Sequence, residues 1–208
     1  MAGKLETLQM MIDKKAVAVV RGSSVEEAEM VAEGSLKGGI SILEITYTVP
    51  GASSLISSLI KNHPDKAVVG AGTVLDEVTA RIAILAGAAF IVSPSFNKET
   101  ALLCNRYSIP YIPGCYTVKE VIEALEYGSD IIKIFPGNTV SPSFISTING
   151  PVPQAKLMPS GGVNAENAKE WINKGAAAIS IGSSLYKSTV EEVEAEARKV
   201  TESIQGIK

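Results

Sequence analysis

Short runs of aliphatic and β-branched residues alternate along this chain with amphipathic stretches, each pair separated by a Gly, Pro, Ser or Thr turn. Eight runs read as strands: residues 16–20, 40–45, 67–70, 90–93, 111–113, 131–135, 156–159 and 178–181. Stretches with helical spacing lie between them, among them 25–37, 75–86, 98–107, 118–127 and 165–174. A leading helix over 5–12 precedes the first strand, and a closing one over 190–204 ends the pattern. Thr117-Val118-Lys119-Glu120 has the form of a capping box, and Asn164 is placed to cap the stretch after it. Gly38, Gly87, Gly128 and Gly175 mark helix ends. No low-complexity linker divides residues 1–208, so one domain is expected. Eight βα units in a chain of this length point to an α/β fold, a small (β/α)8 TIM barrel with an extra N-terminal helix. A doubly wound open sheet has the same periodicity and stands as the alternative.

One of the eight runs contains a residue that conflicts with its setting. Ile131-Ile132-Lys133-Ile134-Phe135 reads as a strand buried on both faces, yet carries a lysine at its centre. A buried ammonium must be paired or give up its proton, because taking a charge out of water costs several kcal/mol, roughly. A neutral lysine amine in a dry site is the nucleophile that forms Schiff bases with ketones. Along the second run, Glu44 shares a face with Ile42 and Ile40; along the sixth, Lys133 shares one with Ile131 and Phe135. No other ionisable residue lies well inside a run, since Asp130 and Lys156 stand at N-terminal ends. Both inward charges fall toward the C-terminal halves of their strands, where barrel enzymes keep their chemistry. An amine and a carboxylate there could act as nucleophile and proton shuttle. The plainer reading is a buried ion pair that only fills the barrel, a weak reason to keep two charges inside.

Charge and composition narrow the partners. A net charge of −3 gives no basic surface for nucleic acid or an anionic membrane, and no run is long enough to span a bilayer. Nothing near the start resembles a signal peptide, so the default compartment is the cytoplasm. Two cysteines and one histidine make neither a disulfide framework nor a zinc site. No metal and no cofactor are expected; the partner is a small molecule.

Two glycine-bearing loops suggest what that molecule carries. Ser160-Gly161-Gly162 follows the seventh run and Gly182-Ser183-Ser184 the eighth. Glycines let backbone N–H groups approach an anion, and a following helix N-terminus adds its positive end. Phosphate-binding barrels hold phosphate after strands seven and eight. The substrate expected is a small phosphorylated metabolite.

Six motifs then occur in order: Leu43-Glu44-Ile45-Thr46, Gly70-Ala71-Gly72-Thr73-Val74-Leu75, Ser93-Pro94, Ile112-Pro113-Gly114, Lys133-Ile134-Phe135-Pro136 and Pro159-Ser160-Gly161-Gly162. Together they resemble the KDPG/KHG aldolases, which cleave 2-keto-3-deoxy-6-phosphogluconate or 4-hydroxy-2-oxoglutarate. The resemblance implies a class I aldolase, a homotrimer of (β/α)8 barrels without a metal. It would make Lys133 the Schiff-base lysine and Glu44 the general acid/base. Thr73 would bind the substrate carboxylate, Pro94 and Phe135 would shape the pyruvyl site, and Gly161, Gly162, Gly182, Ser183 and Ser184 would hold the phosphate. Ser160 stands where the family carries a threonine linked to C4 stereochemistry. One departure is clear. The family often has an arginine four residues after the glutamate, and this chain has Thr48, which cannot supply a charged bidentate fork. Thr48, Thr73 and backbone groups would then hold the carboxylate, with Arg21, just past the first strand, the candidate cation.

Other residues draw plainer readings. Cys115 is taken as packing or site-lining, Cys104 and Trp171 as core, and His63 as part of a turn at the opposite face. Three rival functions remain: a metal-dependent pyruvate aldolase, a phosphosugar isomerase, epimerase or synthase, and a non-catalytic phosphometabolite-binding barrel.

Overall fold

A computed structural model describes residues 3–207. Helix α1 (Lys4–Lys14) leads into β1 (Ala16–Val20), and strand then alternates with helix to the end of the chain. The order is α2 (Val25–Lys37), β2 (Ile42–Thr46), α3 (Ala52–Asn62), β3 (Val68–Gly72), α4 (Glu77–Leu85), β4 (Ile91–Val92) and α5 (Lys98–Arg106). It continues through β5 (Tyr111–Ile112), β6 (Gly114–Cys115), α6 (Val118–Glu126), β7 (Ile132–Ile134), α7 (Ser143–Asn149), β8 (Leu157–Pro159), α8 (Ala168–Asn173), β9 (Ile179–Ile181) and α9 (Val190–Ile204).

All pairings are parallel. Six strands run β5-β4-β3-β2-β1-β9, and three run β6-β7-β8. β5 and β6 are one barrel strand interrupted at Pro113, whose missing N–H removes a ladder bond. At the other seam a bridge between Ser160 and Ser180 joins β8 to β9. The sheet therefore closes, with eight strand positions each followed by a helix. This is the (β/α)8 barrel, and the open-sheet alternative falls.

The alternation along the strands divides the core in two. Val17, Ile42, Val68, Phe90, Val92, Ile112, Ile131, Met158 and Ala178 fill the barrel's lower interior, and Leu8 and Met11 of α1 close it from below. Ala18, Leu43, Ile45, Val69, Ile91, Ile132, Ile134, Leu157 and Ile179 face outward against the helices. The interior is solid at the bottom, so the charged pair above it has no route to water through the floor.

Local signals fare unevenly. The Thr117–Glu120 capping box forms in both directions. Gly87, Gly128 and Gly175 take positive φ after their helices, but Gly38 does not; Gly39, at φ 94, makes that left-handed turn. Asn164 accepts from the N–H groups of Glu166 and Asn167, which holds a turn there and delays α8 to Ala168. Trp171 and Cys104 are buried in the core, as expected. His63 bonds Glu33 at 2.6 Å below the barrel, away from the charged pair.

Phe90 anchors the interior, with its ring so close over Gly70 that any Cβ there would strike it. Phe90→Ala is expected to cost about 3–5 kcal/mol, read from the shift of the denaturation midpoint. A loss below about 1 kcal/mol would mean that the interior is not packed as described.

Candidate active site

Glu44 occupies the middle of β2, in register between Val19 of β1 and Gly70 of β3. Lys133 occupies the middle of β7, between Gly114 of β6 and Met158 of β8. They are the only charged residues buried among those described, at 0% and 5% exposure. The two strands face each other across the barrel, and the Lys133 Nζ lies 3.5 Å from Glu44 Oε1. Glu44 Oε2 is buried with no hydrogen-bond partner. At 3.5 Å the contact is long for a charge-assisted hydrogen bond, and one carboxylate oxygen is left unspent. Such a carboxylate is poised to accept from something placed beside it.

Room for this pair is made by glycine. A Cβ at Gly72, on the neighbouring strand, would fall on the Glu44 carboxylate. The ring of Phe135 stands 5.3 Å from the Lys133 amine. Gly114, the register partner of Lys133, faces Pro94 so closely that a Cβ would collide with its carbonyl. Phe135 therefore sits beside the amine, and Pro94 packs against the strand next to Lys133.

Around the rim above these groups stand the remaining residues singled out in the sequence. Thr46 Oγ1 donates to the Val20 carbonyl at 3.1 Å and lies 2.8 Å from Thr48 Oγ1, which is exposed at the mouth. Thr73 adopts φ 54, a left-handed conformation that a β-branched residue takes only at a cost of roughly 1–3 kcal/mol. Ser160 is buried, with its hydroxyl 3.4 Å from that of Ser180. Gly161 and Gly162 take φ of 98 and 73. Ser183–Leu185 forms a single 3-10 turn, and Ser184 Oγ is buried without a partner. Neither glycine loop runs straight into a long helix, because the Asn164 turn and this 3-10 turn intervene.

Arg21 is exposed at the end of β1. Its charge acts on Tyr186, a residue the sequence did not single out, whose hydroxyl lies 4.0 Å from where a Gly182 Cβ would stand. Burial pushes the Tyr186 hydroxyl up to about 12 against the opposing pull of Arg21. Cys115 packs outward with the core, so it does not line the site; burial pushes its thiol up to about 12. Among the described residues no three His, Cys, Asp or Glu side chains gather as a metal site, and no helix is long and apolar enough to cross a membrane.

A closed (β/α)8 barrel with a buried amine and carboxylate midway along facing strands, above a packed floor, has the build of a Schiff-base lyase. The KDPG and KHG aldolase family model matches residues 8–202, and the chain belongs to that family and is an aldolase. The 2-dehydro-3-deoxy-6-phosphogalactonate aldolase of Escherichia coli K12 is 31% identical over 83% of this chain and 84% of its own. The 2-dehydro-3-deoxy-phosphogluconate aldolase of Treponema pallidum is 32% identical over 76% and 75%. The crystal structure of a KDPG aldolase from Legionella pneumophila, with pyruvate captured as a covalent carbinolamine, superposes with a TM-score of 0.80. It is 29% identical and covers 97% of both chains.

If the pair is kept for chemistry, it should not be needed for folding. Lys133→Met alone strands a buried carboxylate and is expected to cost about 3 kcal/mol, while adding Glu44→Leu should restore the wild-type denaturation midpoint or exceed it. A double variant less stable than either single one would make the pair structural.

Proposed function

We propose that this aldolase is a class I enzyme that reversibly cleaves 2-keto-3-deoxy-6-phosphogluconate to pyruvate and glyceraldehyde 3-phosphate. 4-Hydroxy-2-oxoglutarate would be a further substrate, split to pyruvate and glyoxylate. The observation that carries this reading is the buried Lys133 amine 3.5 Å from a buried Glu44 carboxylate whose second oxygen has no partner.

In this mechanism the neutral amine of Lys133 attacks the C2 ketone. Glu44 moves protons as the carbinolamine forms and loses water, leaving an iminium. Glu44, directly or through a water, takes the C4 hydroxyl proton as the C3–C4 bond breaks. The bonding pair enters the iminium, giving an enamine, and the aldehyde leaves. Reprotonation at C3 and hydrolysis release pyruvate and the free lysine. Phe135, beside the amine, and Pro94, packed against the strand next to Lys133, would line the pyruvyl end of the site. Thr73 and Thr48 would hold the carboxylate, and Arg21 supplies the positive charge at the rim that Thr48 lacks. Gly161, Gly162, Gly182, Ser183 and Ser184 would take the phosphate with N–H groups and hydroxyls, helped by the unpartnered Ser184 Oγ.

Cleavage of the 6-phosphogalactonate epimer is the second reading, favoured by the likeness to the Escherichia coli galactonate-type enzyme. Ser160, buried and directed at Ser180, would set the choice at C4. Pyruvate release from the two epimers and from 4-hydroxy-2-oxoglutarate ranks the three. Lys133→Ala is expected to abolish turnover of all of them, and Glu44→Gln to lower kcat by roughly 10²–10⁴. Turnover surviving in Lys133→Ala would overturn the mechanism.

A homotrimer belongs to the same reading. Leu75, with Val78, Ile82 and Leu85 of α4, leaves an apolar stripe 47–69% exposed, and Leu102 of α5 lies on the adjoining helix at 46%. Stripes of this kind mark association surfaces. Sedimentation should give a three-chain mass, and Ile82→Glu should shift it toward one chain; a monomeric wild type would contradict this.

A further inference from the structure

Tyr186 stands at the mouth of the barrel, outside both layers of the core. After β9 the chain folds back in the 3-10 turn Ser183–Leu185, where Leu185 N–H donates to the Gly182 carbonyl at 2.9 Å and the Leu185 side chain is fully buried. That turn brings Tyr186 back over Gly182. Its hydroxyl lies 4.0 Å from where a Gly182 Cβ would stand, and Val19 Cβ lies 3.5 Å from the same point. Val19 comes two residues after Val17 of the barrel floor, on the inward face of β1, and is the register partner of Glu44. The hydroxyl therefore reaches inward over the wall made by β9 and β1. Tyr186 is 39% exposed, yet burial pushes its hydroxyl up to about 12, with the Arg21 charge pulling it down and the Glu44 charge pushing it up. The phenol thus stays protonated through the neutral range, with its ring at the surface and its polar end turned in. No hydrogen bond to another described residue holds it.

We propose that Tyr186 contacts the substrate, hydrogen-bonding the C5 hydroxyl of a six-carbon 2-keto-3-deoxy sugar acid phosphate, and so selects aldehyde partners that carry a hydroxyl beside the carbonyl. This rests on the reading of Lys133 as the Schiff-base lysine and of Gly182 as part of the phosphate site. Those two assignments fix the ends of the substrate, C2 at Lys133 and the C6 phosphate at Gly182. Glu44 takes the proton of the C4 hydroxyl. The C5 hydroxyl is then the polar group left between Glu44 and Gly182, the span into which the Tyr186 hydroxyl reaches. A protonated phenol both donates and accepts, so it can meet that hydroxyl in either sense. The C4 epimers share C5, which keeps this contact separate from the choice that Ser160 would make. Pyruvate ends at C3 and makes no use of it.

Condensation in the synthetic direction, with pyruvate saturating, separates the two halves of the substrate. Glyceraldehyde 3-phosphate carries the hydroxyl in question; 3-phosphooxypropanal lacks it and keeps the aldehyde and the phosphate. In Tyr186→Phe, kcat/KM for glyceraldehyde 3-phosphate should fall about tenfold, as for one lost hydrogen bond between neutral groups, while that for 3-phosphooxypropanal stays within about twofold. Exchange of the C3 protons of pyruvate into D2O, which reads enamine formation alone, should match wild type. Tyr186→Leu should shift the ratio of the two aldehydes in the same direction, and it serves if Tyr186→Phe fails to fold. An equal loss for both aldehydes would put the hydroxyl on the phosphate, slowed pyruvate exchange would put it on Glu44, and no loss for either would leave it idle; each overturns the proposal. A wild type that exchanges pyruvate but condenses it only with glyoxylate would overturn the proposal and leave the Schiff-base reading standing. Absence of exchange by the wild type would overturn both.

Discussion

A carboxylate and an amine held 3.5 Å apart inside a barrel impose the terms on which the rest of the molecule is built. Neither charge can reach bulk water through the floor, where Ile42, Phe90, Ile112, Ile131 and Met158 pack above α1. Their solvation must come from each other and from what enters at the mouth. A pair this deep contributes little net stability, since the desolvation of two charges offsets most of their attraction. Its retention makes sense when the unspent oxygen of Glu44 and the amine of Lys133 complete their bonding on a substrate.

Space at the level of this pair is a matter of side chains left out. Gly72 leaves room for the Glu44 carboxylate, and Gly114 admits Pro94 against the strand next to Lys133. Phe90 takes the room below, over Gly70. The barrel is thus solid where strands begin and open where they end. Above the pair the loops take over: Thr73 in a left-handed turn, the two left-handed glycines after β8, and the 3-10 turn after β9. The polar groups there are backbone N–H groups and hydroxyls, with Arg21 the cation among them. Such a rim suits anionic ends on a small substrate more than a flat or apolar partner.

Much of this was readable in the chain. The inward and outward faces follow from alternation alone, which puts Glu44 and Lys133 inside on sequence grounds. The Thr117–Glu120 capping box was equally plain, because its spacing is its mechanism. Other features had no such signal. Helices α3 and α7 are rich in serine, and neither has a side-chain cap, so their sequences blur into loop. The third run reads as ending at Gly70, whereas β3 extends to Gly72, and the function of both glycines is to be missing a side chain. Tyr186 depends on contacts between distant segments, which no local pattern encodes. The loops after β8 and β9 were found from their glycines, but the helices behind them begin later than the glycines suggest, because Asn164 bonds its own neighbours first.

The central claim is that the Lys133 amine is a nucleophile toward a 2-oxo acid. Incubation with pyruvate and sodium borohydride, followed by peptide mass mapping, tests it in one step. The account predicts a reduced pyruvyl adduct on the peptide containing Lys133 and on no other lysine. A folded protein that gives no adduct at saturating pyruvate, or gives one elsewhere, would contradict it.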